Sequence, residues 1–145
     1  MNSDHAIYIQ PVGTSDTYNT WYNWRLIPAH APTIAPPQVE SHLVYVPGRA
    51  APIDLSGYLL GSPDFKSRVG SWEFYMEQSF SARTNVHERI ELMRASIHGK
   101  ECYVQLADDP YRKYTGILKI EDFTIDDHWC SVTIGYELYP EYVLV

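Results

Sequence analysis

The hydrophobic pattern is clearest between residues 84 and 123, where it predicts one helix followed by a two-stranded hairpin. The apolar residues of the first part recur at the spacing of one helical face: Val86, Ile90, Met93 and Ile97. Asn85 and Glu88 have the spacing of a capping box, which predicts that the helix begins there. Gly99 and Lys100 are typical of a helix end, because glycine adopts the left-handed conformation and a cation suits the negative end of the dipole.

After Gly99 the pattern changes to the alternation of a strand with one buried face. The alternating apolar residues are Cys102, Val104 and Leu106. The sequence Asp108-Asp109-Pro110 predicts a turn, since aspartate side chains cap turns and proline fixes φ. A second strand then carries Tyr114, Leu118 and Ile120. This hairpin needs more strands and the helix to form a core, because an isolated hairpin is marginally stable in water.

Five further segments have the composition or alternation of strands: residues 6–9, 26–27, 42–46, 72–76 and 128–138. Four prolines between Pro28 and Pro37 instead predict an extended connection, since proline fits neither a helix interior nor a central strand. Hairpins dominate, and strand-helix-strand alternation is missing. The pattern therefore predicts an α+β fold, mainly an antiparallel β-sandwich or partly open barrel with one α-helix packed on it.

Length and charge narrow the classes of protein further. A chain of 145 residues with 45% hydrophobic and 14% aromatic residues predicts one folded domain over residues 1–145. No apolar run approaches the roughly 20 residues of a membrane helix, and no signal peptide is visible, so we expect no membrane contact and a cytoplasmic site of synthesis. The net charge of −7 argues against binding to phosphate backbones, which requires a basic surface.

Two cysteines and two histidines form a candidate zinc site. Cys102 and Cys130 fall on the predicted buried faces of their strands, with His98 and His128 close to them in sequence, which raises the possibility of zinc. No Cys-x2-Cys knuckle is present, and the His98 to Cys102 spacing crosses a helix end. Buried structural thiols are the favoured interpretation, and a disulfide is not expected in a reducing compartment.

Other candidate chemistry has a structural explanation. The pairs Asp108-Asp109 and Asp126-Asp127 could bind calcium or act as acid and base, but neither has the glycine and terminal glutamate of a calcium loop, and aspartate is common in turns. Ser56 and Ser71 lack the nucleophile-elbow motif of serine hydrolases. We therefore expect no enzyme and no cofactor.

Aromatic residues leave two interpretations open. Trp21, Trp24, Tyr103 and Tyr111 could form a sugar-binding platform if they are exposed. Alternatively they belong to the core or to a subunit interface, where aromatic residues and arginines are enriched. Trp24 and Arg49 are the candidate interface residues on that second interpretation.

Several segments, taken in order, resemble the amino-terminal domain of distal tail proteins of siphophages, the long non-contractile-tailed bacteriophages, a family allied to tail-tube proteins. The matching segments are Asn19-Thr20-Trp21 with Trp24, Pro36-Pro37, Val44-Tyr45-Val46-Pro47-Gly48-Arg49, Ile53-Asp54-Leu55-Ser56, the run to Phe74, Ile97-His98-Gly99-Lys100, and Asp108-Asp109-Pro110 with Tyr114-Thr115-Gly116. Together they span about residues 19 to 140.

The resemblance implies a tail-tube-like domain that forms a hexameric ring, a baseplate hub between the tail tube and the tip. Such a protein is part of the virion tail, is assembled in the host bacterial cytoplasm, and contacts tail-tube and tail-tip proteins. DNA passes through the ring without specific binding, and the acidic balance of the chain suits such a channel. A tail-tube subunit and a small carbohydrate-binding module are the alternative functions.

Two features depart from the family. Ala50-Ala51-Pro52 follows Arg49 where the family more often has an acidic-glycine turn. The sequence ends at Val145, whereas family members commonly carry a further domain. We therefore expect no carboxy-terminal carbohydrate-binding-type domain in this sequence.

Overall fold

One antiparallel sheet contains most of the strands in the computed structural model. The structure describes residues 5–40, 43–44, 47–48, 53–54, 64–76, 86–125 and 130–145. The strands are β1 Ile7–Pro11, β2 Tyr18–Asn19, β3 Leu26–Pro28, β4 Val39–Glu40, β5 Leu43–Val44, β6 Ile53–Asp54, β7 Asp64–Phe65, β8 Arg68–Met76, β9 Lys100–Leu106, β10 Asp109–Ile125, β11 Cys130–Leu138 and β12 Val143–Leu144. The helix α1 spans Val86–Ile97.

The strand order of the main sheet is β2-β1-β9-β10-β11-β8-β3, with β12 paired to the start of β10. Two separate two-stranded pairs, β4 with β7 and β5 with β6, complete the pairing among the described residues. All of these pairs are antiparallel. The predicted α+β class is therefore confirmed, and the sheet curls into a half-barrel, while a sandwich stays a prediction.

One face of the main sheet and one side of α1 form the core. The alternating residues predicted to be buried on β8, β9 and β11 are buried, and Ile90, Met93 and Ile97 of α1 pack against them. Val86 is only partly buried. Arg89, which the helical pattern places among the polar residues, is also buried, and its Nη1 donates to the backbone carbonyl of Trp24 at 3.4 Å.

The carboxyl end of α1 has the predicted form. The helix ends at Ile97, Gly99 has a φ of 71°, and Lys100 Nζ donates to the carbonyl of Ala95 at 2.7 Å. The Gly99 amide donates to the Leu118 carbonyl at 2.7 Å, which attaches the helix end to β10. The predicted cap, Asn85, lies outside the described residues.

The chain folds back after β9 as predicted, but the turn lies one residue earlier than the Asp-Asp-Pro pattern indicates. Ala107 and Asp108 form the turn, and Asp109 already pairs with Leu106. Pro110 belongs to β10, in a stretch where the register with β9 is interrupted between Asp109 and Tyr114. Proline is accepted there because β10 makes no ladder bond to β9 over that stretch.

The extended connection after β3 is held on the sheet by the polar ends of buried aromatic side chains. Trp72 Nε1 donates to the Thr33 carbonyl at 2.8 Å, and the Tyr136 hydroxyl accepts from the Ala35 amide at 2.8 Å. The two rings stack with their centroids 4.5 Å apart. A Cβ at Gly70 would overlap the Tyr136 ring, so glycine is required there. These contacts give a proline-rich segment a fixed path.

Tyr136→Phe tests this attachment. We expect a loss of about 1 kcal/mol in the free energy of unfolding, because the Ala35 amide loses its partner while the ring packing is kept. Urea denaturation followed by tryptophan fluorescence measures the change. Tyr111→Phe is the matched control, since Tyr111 is 69% exposed. Equal midpoints for Tyr136→Phe and the wild type would show that the hydroxyl does not hold the connection.

Candidate subunit interface

The second half of β10 has a backbone edge that no described strand covers. β9 pairs with β10 only as far as Leu118, whereas β11 pairs with β10 through Ile125. The His98 Nδ1 accepts from the Ile120 amide at 3.0 Å, so the end of α1 satisfies the first group of this edge. We call residues 121–125 the β10 edge. All five are exposed, and an exposed strand edge is a template for pairing with another chain.

The β10 edge is both acidic and apolar. Glu121 and Asp122 lie next to each other at an irregularity in the β10–β11 register, and both are exposed. Phe123 and Ile125 pair with the buried residues Val132 and Cys130 but are themselves 40% and 44% exposed. The core face of the sheet therefore continues to this end with its apolar side chains half uncovered.

A second exposed strand lies at the opposite end of β10. β12 pairs with Arg112 and Lys113, and its other side is not covered by any strand in the described part of the chain. Val143, Leu144 and Val145 are 65%, 71% and 71% exposed. We call residues 143–145 the β12 edge. It lies about ten residues along β10 from Phe123, roughly 30 Å for an extended strand.

Polar contacts attach the β12 edge to the sheet. Arg112 pairs with Asp109 at 3.1 Å and lies over the Tyr142 ring at 5.2 Å. The hydrogen bond to Tyr142 and the carboxylate of Asp109 raise the pKa of the Arg112 guanidinium. Tyr139 donates to Glu101 at 3.1 Å, and this bond raises the pKa of the phenol. The segment is therefore fixed although its apolar side chains face solvent.

The structure corrects the assignment of Trp24 to a surface contact. Trp24 is 4% exposed and stacks on Tyr18 with the ring centroids 5.4 Å apart, so its side chain belongs to the core. The sequence could not separate a buried indole from an exposed one within an aromatic cluster. Arg49, the other interface candidate, lies outside the described residues.

The two cysteines of the candidate zinc site are not brought together. Cys102 is opposite Gly116 on β10, and Cys130 is opposite Ile125, nine residues further along the same strand. That separation is roughly 30 Å, too far for one ion or a disulfide. His98 is exposed and uses Nδ1 for the Ile120 amide, and His128 lies outside the described residues. No group of three or more potential ligands occurs in the described ranges.

The aromatic and aspartate candidates in the described part of the chain do not form one site. Trp21 is buried, Tyr111 is exposed on β10, and Tyr103 lies on the outer face of β9, so the proposed aromatic platform is not assembled from these residues. Asp108 contacts His5 Nδ1 at 2.9 Å, and Asp109 pairs with Arg112. Asp126, Asp127 and Ser56 lie outside the described residues, and Ser71 is exposed on β8. No helix among the described residues is long and apolar enough to cross a membrane.

The main sheet with α1 packed against it is similar in fold to a solved bacteriophage protein. The chain superimposes on the crystal structure of the SPP1 Dit protein, described as a paradigm of the hub adsorption apparatus in phages that infect Gram-positive bacteria. The TM-score is 0.61 at 14% identity, over 91% of this chain and 49% of the Dit chain. The protein thus spans about half the length of that Dit chain. No family model and no curated protein sequence matches the chain.

The burial of the cysteines predicts that both resist alkylation in the folded protein. Cys102 is 0% and Cys130 1% exposed, and burial raises the pKa of the Cys102 thiol to about 11, so at pH 8 it is not a thiolate. We expect iodoacetamide at about pH 8 to modify neither cysteine in buffer and both in urea, as counted by mass spectrometry. Rapid modification in buffer would contradict the burial of these strands. Iodoacetamide at the same pH on a short cysteine peptide is the reactivity control.

Proposed function

We propose that this protein is a structural, non-catalytic component of a bacteriophage or prophage tail, a distal tail protein that forms a baseplate hub. The observation that carries the proposal is the tail hub fold, which extends over 91% of the chain. In this proposal, residues 1–145 form one ring-building domain. Six copies form a closed ring around the DNA channel, and the ring joins the tail tube to the tip.

The β10 edge and the β12 edge support assembly by head-to-tail contacts. The β10 edge and the β12 edge differ in sequence and lie at opposite ends of one long strand. Contacts between two different surfaces of the same chain generate a ring when the rotation closes and a filament when it does not. A ring also removes the exposed edges that would otherwise aggregate. The sixfold order comes from the resemblance to distal tail proteins.

The charge balance supports a channel through which DNA passes without being held. Nine of the 18 acidic residues lie from Glu101 onward, against three lysines and arginines. Glu121 and Asp122 are exposed among them. Carboxylates repel phosphate, so a channel with this balance would not retain DNA.

The location follows from the same proposal. A hub of this type is part of the virion tail, is assembled in the host bacterial cytoplasm, and contacts tail-tube and tail-tip proteins. We propose no enzymatic activity. Among the described candidates, both cysteines are buried, and Asp108 and Asp109 contact His5 and Arg112.

The mass of the purified particle tests the proposal. Six copies of 16.7 kDa give a closed particle of about 100 kDa by native mass spectrometry and light scattering. Electron micrographs should show an annulus. Polymers of open length would support a tail-tube subunit instead. A monomer that stays monomeric when mixed with the tail-tube protein, and is absent from purified virions, would contradict the proposal.

Leu144→Asp tests the β12 edge. Leu144 is 71% exposed, so the substitution should leave the stability of the subunit within about 0.5 kcal/mol. A carboxylate in this apolar contact should weaken the association of neighbouring subunits at least about tenfold. The ring should then dissociate on dilution. Val69→Asp is the control, because Val69 is 52% exposed on the outer face of β8, away from both edges. Equal ring stability in both variants would remove the β12 edge from the interface.

Binding to DNA provides an independent check. We expect no shift of a duplex oligonucleotide in a gel at about 50 mM salt, where a basic protein would bind strongly. Retention of duplex DNA by the wild-type ring would contradict a repelling channel.

A further inference from the structure

Two adjacent strands carry the same three-residue pattern on the outer face of the sheet. β1 contains Tyr8-Ile9-Gln10 and β9 contains Tyr103-Val104-Gln105. The antiparallel register places Tyr8 opposite Gln105 and Gln10 opposite Tyr103. Ile9 and Val104 are fully buried, so all four polar side chains point away from the core. The four side chains thus form a small square, in which the two tyrosines occupy one diagonal and the two glutamines occupy the other.

The glutamine side chains are fixed with their oxygens available. Gln10 Nε2 donates to the Thr14 carbonyl at 2.9 Å, and Gln105 Nε2 donates to the Pro110 carbonyl at 2.7 Å. A backbone carbonyl accepts hydrogen bonds and donates none, so the orientation of each amide is determined. Each Oε1 is therefore left as an acceptor whose position is set before any ligand arrives. Fixed acceptors of this kind reduce the entropy lost on binding.

One cation stands beside this square. The ammonium of Lys113 on β10 lies 5.3 Å from the centroid of the Tyr103 ring, which holds it by a cation–π contact. In the described part of the chain, no carboxylate lies within ion-pair distance of it. In a protein with a net charge of −7, an ammonium without a carboxylate partner favours an anionic ligand.

The four side chains, Lys113 and Thr17 line a groove of about 150 Å³. Pockets for drug-sized ligands have roughly 300–1,000 Å³, so this groove suits a single ring. Tyr8, which is 40% exposed, offers apolar surface for C–H groups, and the two amide oxygens accept from hydroxyls. Lys113 is the one cation among the lining residues, which matches one negative charge.

We propose that this groove binds one sugar ring that carries a carboxylate, as a uronic acid does. The site is independent of ring assembly, because all of its side chains come from one subunit. It also differs from the aromatic platform considered for the sequence, since Tyr103 is the only residue common to both.

Saturation-transfer NMR with two matched probes tests the proposal. Methyl β-D-glucuronide and methyl β-D-glucoside differ only in the carboxylate at C6. We expect a Kd on the order of 1 mM for the glucuronide, a value typical of a ligand of this size, and about tenfold weaker binding of the glucoside. Lys113→Gln should remove the preference for the acid, and Tyr8→Leu should weaken binding of both probes about tenfold.

Two control variants on β10 make the result specific. Lys119→Gln removes an exposed lysine from the same strand and the same outer face, six residues from Lys113. Tyr111→Leu removes an exposed tyrosine. Both should bind the glucuronide like the wild type. Circular dichroism checks that every variant is folded. Equal binding of the two probes, no binding of either, or an equal loss in Lys119→Gln and Lys113→Gln would overturn the proposal.

Discussion

The structure depends on how the two sides of β10 are shared among its neighbours. One side pairs with β11 through the Ile125–Cys130 pair, and the other side pairs with β9 only as far as Leu118. Beyond that point, residues at the end of α1 bond to β10. The Gly99 amide donates to the Leu118 carbonyl, and His98 Nδ1 accepts from the Ile120 amide. Backbone groups need partners wherever water is excluded, so this change of partner decides where the sheet is closed and where it is left open.

Because the neighbour of β10 changes from β9 to the end of α1, one strand contains both core residues and the β10 edge. Up to Leu118, β9, β11 and α1 surround the core face of β10, where Tyr114 and Leu118 are buried. Beyond Ile120, none of the described strands pairs with β10 on that side, and Phe123 and Ile125 are half exposed. A single strand of 17 residues, roughly 55 Å long, therefore carries both part of the core and an exposed edge.

The sequence predicted the elements better than the surfaces. The helix stripe, the end of the helix at Gly99 and the alternation on β8, β9 and β11 follow from local periodicity, and all three are confirmed. The burial of Trp24 and Arg89 depends on which elements meet in space, which periodicity does not report. The separation of Cys102 from Cys130 likewise follows from the register along β10. The Tyr-x-Gln pattern occurs twice in the sequence, but only the pairing of β1 with β9 brings the two copies next to each other.

The acidic residues at the β10 edge give that edge selectivity. An uncovered strand with two half-exposed apolar side chains would accept any extended chain, because backbone hydrogen bonds are the same for every sequence. Glu121 and Asp122 change this, since a second copy of the same edge would bring like charges together. The edge is thereby biased against pairing with itself and towards a surface of different charge. A head-to-tail contact between unlike edges meets that condition, whereas a symmetric contact between two β10 edges does not.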